Sequence, residues 1–279
     1  MKKVFFLVAL CLALTAGAQI KSPQPSPKAK IVQTVGLTDI TLEYSRPAMN
    51  EREIFGGLVP FNKLWRTGAN ANTLITFSDP VNFGGEKVEA GTYSIYTKPG
   101  EKEWEIMLYK STNNWGTPEN WDEKMIAART VARVETVEMP QESWTIALNE
   151  LSMDGAHLQM MWDRTLVRVP IAVPTEEKTM QSIKQVMAGP AANDYYQAAA
   201  YYLSADKDMK QAHEWISMAV KKNPEAFWMH TRKSLIEEKM GDKKSAIASA
   251  RMAMKYAKES ENADYVKINM DNLKKWGAM

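Results

Sequence analysis

Two hydrophobic periods, one on each side of Val173, constrain this chain more than any other feature. Before that point apolar side chains alternate with polar ones: Ile40, Leu42 and Tyr44, then Ile75 and Phe77, Tyr93 and Ile95, and Trp104, Ile106 and Leu108. The alternation returns at Trp144, Ile146 and Leu148, at Leu158, Met160 and Trp162, and at Val167, Val169 and Ile171. A period of two puts each apolar set on one face of an extended strand. The turn-forming strings VGLTD, FGGEK, TKPGEKE and SMDGA separate the runs. The expected architecture from Ile31 to Val173 is therefore an antiparallel β-sandwich or barrel of about eight short strands.

After Val173 the period lengthens. Thr175 is placed to cap a helix over Glu176 to Ala188 with Met180, Ile183, Val186 and Met187 on one face, and Gly189 with Pro190 marks its end. From Asn193 the spacing resembles the roughly 34-residue tetratricopeptide helix-turn-helix. Ala200, Ala212 and Ala219 take its small positions, Tyr196 its aromatic position, Ile216 its large apolar position and Pro224 its closing proline. One repeat later the small positions fall on Ser234, Ala246 and Ala253, and the turn at Lys207 and Asp208 becomes Gly241 and Asp242. Small side chains are needed where paired helices approach closely. The second unit departs from the pattern at His230, Ala250 and Lys258, and Ala263 to Trp276 reads as a capping helix offering Tyr265, Ile268, Leu273 and Trp276 to the stack. Such a stack implies a protein or peptide partner.

The N-terminus, MKKVFFLVALCLALTAGAQ, has two lysines, a short apolar run and small residues before Gln19. It reads as a secretory signal peptide cleaved after Ala18, because the run is too short to span a membrane. Cys11 lies inside the run rather than at its end, which argues against a lipid-anchored form. Export to the periplasm or beyond is the expected location, with a proline-rich tether over residues 19–30. The expected domains are then a β domain over 31–173, a linker helix over 174–192, and helical repeats over 193–276.

The chain has 35 Lys and Arg against 33 Asp and Glu. Loss of Lys2 and Lys3 would make the remainder formally neutral, with no global field to attract nucleic acid or anionic lipid. Cys11 is the single cysteine, so the cleaved protein would have no disulfide, thiol nucleophile or zinc–cysteine site. No later segment reads as a membrane span.

Several strings in the strand-rich half resemble a family of secreted bacterial domains of unknown function, the one numbered 2911. They are YSRP at Tyr44 to Pro47, IFGGLVP at Ile54 to Pro60, LWRTGANANT at Leu64 to Thr73, AGTYSIYTKPGEKEWEIML at Ala90 to Leu108, NNWG at Asn113 to Gly116, and MWD at Met161 to Asp163. The resemblance implies a domain boundary near Val173 and brings no established activity.

The inventory of reactive groups is thin. His157, His213 and His230 are spread too far for a serine triad or a His-rich metal site. His157 has the parity of a solvent-facing strand residue. Glu43, Glu51, Glu53, Glu105, Asp122, Glu123 and Asp163 could supply the paired carboxyls of a glycan hydrolase or lyase, which need a close spatial separation. No catalytic residue, metal ligand or cofactor is assigned.

The candidate ligand contacts are Arg46, Trp65, Arg66, Asn70, Trp115 and Trp121. Arg46 shares parity with Ile40, Leu42 and Tyr44, so it should reach the covered face, where a guanidinium must be paired or bound to a ligand. Arg66 follows Trp65 in NKLWRTGANANT, where Gly68 is expected to make a tight turn and Trp65 to pack inward. The loop Ser111 to Arg129 carries Trp115 and Trp121, which either plug the end of the core or form a stacking platform for a sugar ring. The sequence supports an exported, non-catalytic binding or scaffold protein, with a carbohydrate as one possible ligand. An enzyme acting on a glycan or a similar polar substrate is the alternative.

Overall fold

The computed structural model describes residues 22–187 and 189–279; the expected signal peptide, its cleavage point after Ala18 and the expected helix end at Ala188 lie outside them. The chain divides into two compact units, one ending at Thr175 and the other beginning at Glu176.

The first unit is antiparallel β. Its strands are β1 (Lys28–Val35), β2 (Thr38–Ser45), β3 (Leu74–Phe77), β4 (Val81–Phe83), β5 (Glu86–Val88), β6 (Gly91–Pro99), β7 (Glu103–Tyr109), β8 (Ile126–Asn149) and β9 (Gly155–Ala172). They form one nine-stranded sheet in the order β1-β2-β3-β6-β7-β8-β9-β4-β5. β1 begins at Lys28, so the last residues of the expected tether are already strand.

Two features curl this sheet. β8 serves two partners: its first part pairs with β7, and from Val134 onward it pairs with β9, with register shifts between Thr136 and Thr145. Past the end of β2, Ala48 bridges Ser143 on β8, with Met49 N–H donating to the Glu142 carbonyl (2.8 Å) and Trp144 N–H to the Pro47 carbonyl (2.9 Å). The Tyr44 hydroxyl also exchanges hydrogen bonds with the backbone of Ile146, at 2.9 and 3.0 Å. The β2 side of the sheet thus folds back onto β8. The enclosed core contains the alternating residues expected from the sequence, with Trp104, Trp144 and Trp162 among the largest fully buried side chains.

Two local patterns differ from the sequence expectation. Ile126 to Arg129 belongs to β8 rather than to the preceding loop, because the inward positions here are alanines, Ala128 and Ala132, which give a weak hydrophobic signal. β6 and β7 also lose their alternation at Tyr96, Met107 and Tyr109, which are buried on the opposite face beneath Leu64, Trp121, Met125 and Ile126. A strand covered on both faces reads as a continuous apolar run.

The second unit is helical: α1 (Thr175–Val186), α2 (Ala192–Ser204), α3 (Met209–Lys222), α4 (Phe227–Lys239), α5 (Lys243–Glu259) and α6 (Ala263–Lys275). The helices from α2 onward pack mainly on their neighbours in sequence. Asp208 caps α3 by accepting from Lys210 and Gln211 N–H, and Asp242 caps α5 by accepting from Ser245 N–H. Ala212, Ala219, Ser234, Ala246 and Ala253 are fully buried where small residues were expected. In α2 the buried small residues are Ala198 and Ala199, with Ala200 only half-buried. Leu273 in α6 and Trp276 just after it cover the stack, whereas Ile268 is exposed. Among the described residues no helix is long and apolar enough to cross a membrane.

Candidate functional site

The loop from Asn62 to Thr73 is fastened to β6 at its start. Trp65 N–H donates to the Thr97 carbonyl (2.8 Å) and Thr97 N–H to the Trp65 carbonyl (3.0 Å). The Trp65 ring lies nearly parallel to Trp162 (15° at 6.1 Å) and meets Trp144 edge-on at 4.8 Å. Trp65 therefore packs inward, as expected, and is the half-buried outer member of a tryptophan cluster.

The turn chemistry differs from the expectation. Thr67 and Asn70, not Gly68, hold the left-handed conformation, each at φ 60°. A β-branched residue is rare there and carries strain. Thr67 is held by its hydroxyl on Thr97 Oγ1 (3.2 Å) and by its carbonyl, which accepts from Thr73 Oγ1 (2.8 Å) and Trp144 Nε1 (2.9 Å). Gly68 is required for close approach instead, since a Cβ there would lie 2.9 Å from Thr73 Oγ1 and 3.2 Å from the Ser45 carbonyl oxygen.

This loop forms one side of a cavity of about 430 Å³. Trp65, Trp162, Leu58 and Val59 supply apolar wall, Arg66 and Arg52 supply charge, and Ser26, Pro47, Ala48 and Asn50 contribute to the rim. Arg52 is oriented by two backbone carbonyls, donating from Nε to Met49 (2.9 Å) and from Nη2 to Ala48 (2.6 Å). Arg66 Nε is buried with no hydrogen-bond partner. Among the described residues no carboxylate or histidine lines the cavity. Two guanidinium forks against an indole wall favour a planar anion attached to an apolar or flat body.

A family model described as "Protein of unknown function (DUF2911)" matches residues 26–171. The chain belongs to that family. No curated protein and no solved structure matches the chain. The DUF2911 match includes Ser26, Arg52, Trp65, Arg66 and Trp162, so the cavity lies within the family's domain.

The other sequence candidates in the DUF2911 domain fall in different places. Arg46 does not line the cavity. Its Nε donates to the Trp144 carbonyl (3.1 Å) and its Nη2 to Thr145 Oγ1 (2.7 Å), so its fork pins β2 to β8 without an ion pair. Asn70 Nδ2 reaches the Ser26 carbonyl (3.3 Å) and Ser45 Oγ (3.4 Å), which ties the segment before β1 to the loop. Asn70 is a positioning residue that does not line the cavity.

The two loop tryptophans separate. Trp121 stacks on Tyr109 at 4.4 Å and covers the outer cluster, not the end of the main core. Its indole N–H donates to Glu123 (2.8 Å), and this bond, together with Arg129, holds the Glu123 carboxyl below its ordinary value. Trp115 is 78% exposed. Its backbone bridges Ala71 in the Trp65 loop, so the two loops do meet.

The acids named as hydrolase candidates do not join the arginines. Glu53 and Asp163 line a separate cavity of about 280 Å³ with Glu101, Phe61 and Trp104. Glu105 and Glu123 pair with Arg129, and Glu43 pairs with Lys28 and Lys30. His157 lies 3.2 Å from Glu150, half-buried on its strand. Among the described residues no group of three or more His, Cys, Asp or Glu side chains is gathered as a metal site.

The sequence reading missed Arg52 and the part of Trp162 that faces the cavity. Arg52 stands in a charged turn, ERE, that looks like ordinary solvated surface. It gains meaning only from the carbonyls that orient it.

Proposed function

We propose that this chain is an exported, non-catalytic binding protein whose DUF2911 domain takes up an anionic ligand in the Arg52–Arg66 cleft. The observation that carries the reading is the unpartnered, buried Nε of Arg66 in a cavity with a second arginine and no carboxylate. A buried donor without an acceptor costs about 1–3 kcal/mol, and an anion bound there would offset that cost. Among the described residues the cleft has no histidine, cysteine or carboxylate to act as general acid, general base or activated nucleophile. That absence favours binding over the hydrolase or lyase alternative, whose acids line a different cavity.

The helical unit, with its tetratricopeptide-like spacing, is assigned the role of a protein or peptide docking module. Export rests on the N-terminal sequence, and intact-mass measurement of material from an exporting host tests cleavage after Ala18.

Calorimetric titration of the full exported chain with galacturonate, sulfated galactose and neutral galactose tests the cleft. The charged sugars should bind and the neutral one should not. Arg66→Lys should weaken the charged sugars at least about tenfold with unchanged melting, because lysine cannot reproduce a planar fork. Equal binding of all three sugars, or an unaffected Arg66→Lys variant, overturns the reading.

A further inference from the structure

Trp115 poses a problem that the cleft alone does not answer. Among the described residues it is the only aromatic side chain that is exposed. A single exposed hydrophobic side chain is ordinary on a protein surface; what sets Trp115 apart is the anchored loop that holds it outward beside the cleft.

The loop that carries it is not loose. The Ala71 bridge holds the Trp115 backbone, the Tyr96 hydroxyl donates to the Gly116 carbonyl (3.3 Å), and Ser94 Oγ donates to the Ser111 carbonyl (2.7 Å). Asn114 Nδ2 donates to the same Tyr96 hydroxyl (3.4 Å), and Trp121 anchors the far side of the loop on Tyr109. The anchoring turns one tryptophan down onto the sheet and leaves the other standing outward.

The junction with the cleft is direct. Gly116 adopts φ +90°, and a Cβ built on it would lie 3.5 Å from Arg66 Nη1. The outer end of the Arg66 fork therefore reaches the backbone next to Trp115. We propose that Trp115 is a second subsite, a stacking platform for the neighbouring residue of an anionic oligosaccharide whose charged sugar occupies the Arg52–Arg66 cleft. This rests on the cleft reading above and names its ligand class. An indole presents a flat apolar face with a polar edge, which suits the apolar face of a pyranose ring. The carboxylate or sulfate carried by the adjoining sugar would meet the planar donors of the arginines.

The test is titration of the full chain with monomeric galacturonate, with short oligogalacturonates, and with short sulfated galactans. The oligosaccharide matching the preferred anion should bind roughly tenfold tighter than its monomer. Trp115→Ala should remove that gain and leave monomer affinity and melting unchanged, while Trp115→Phe should keep part of it. If monomers bind through Arg66 but oligomers bind no tighter, or Trp115→Ala keeps the gain, the subsite is overturned and the cleft stands. If neither monomers nor oligomers bind, both readings fall.

Discussion

The helical unit buries a charged side chain whole and the β unit buries only the inner nitrogen of one, and the two are treated in opposite ways. In the helical unit Glu237 is almost fully buried. It accepts from Ser249 Oγ at 2.6 Å and lies 3.3 Å from His213 Nε2 and 3.8 Å from Lys233 Nζ. In the β unit Arg66 has a buried Nε with no partner, at the wall of a cavity. A satisfied buried charge is architecture, holding α3, α4 and α5 in one arrangement. An unsatisfied nitrogen beside open space supports the proposed anion site, because an acceptor bound there would offset its desolvation cost.

The largest expected effect tests the architectural side. Glu237→Ala should lower stability by about 2–4 kcal/mol in chemical denaturation, since it strands the Ser249 hydroxyl and unpairs Lys233 and His213. The figure is set below that of a fully buried pair because both cations are partly exposed. A loss under about 1 kcal/mol would break the contrast.

A smaller effect should come from His230 in α4. Its ring is buried against Tyr256, and its Nε2 contacts the Pro224 carbonyl at 2.8 Å. Burial lowers its pKa from the ordinary 6.5, more than the Pro224 bond raises it. With the folded value below the unfolded one, the unfolded chain binds the proton more readily. The associated stability is present above pH 6.5 and is lost as pH falls from there through the folded value. The melting temperature of the helical transition should therefore drop on acidification below that point. His230→Gln should flatten this component, and an identical pH profile in both proteins would exclude His230 as its source.

The smallest expected loss of stability belongs to Arg66. Removing an unpartnered donor breaks no internal bond and relieves its desolvation cost, so Arg66→Ala should leave folding stability unchanged or raise it by up to about 1–3 kcal/mol. A loss of about 1–3 kcal/mol, the range for stranding a buried partner, would show that Arg66 is structural after all and remove the contrast with Glu237.

Strand faces and turn positions were legible because they are local. Ile40, Leu42 and Tyr44 share a face through the two-residue repeat of an extended backbone, and the turns at Lys207–Asp208 and Gly241–Asp242 fall between helices as expected. Thr175, by contrast, expected to cap the first helix, is its first residue and has a buried hydroxyl with no hydrogen-bond partner. The first part of β8 was not legible, because Ala128 and Ala132 bury too little to stand out from their charged neighbours. Strain at Thr67 was also hidden, since its left-handed backbone is imposed by Thr97, Thr73 and Trp144.

The arginines and tryptophans mark the boundary. Arg46 and Arg66 look alike in sequence, yet Arg46 is absorbed by Trp144 and Thr145, nearly a hundred residues away, and Arg66 meets no acceptor. Trp115 and Trp121 lie in one loop, and only the underlying Tyr96 and Tyr109 determine which of them turns inward. The sequence by itself determined the periods, the elements and the buried faces, because those follow from backbone geometry over a few residues. Which polar and aromatic side chains were left without internal partners was decided by tertiary structure, because a side chain's partners come from strands and loops that only folding brings together.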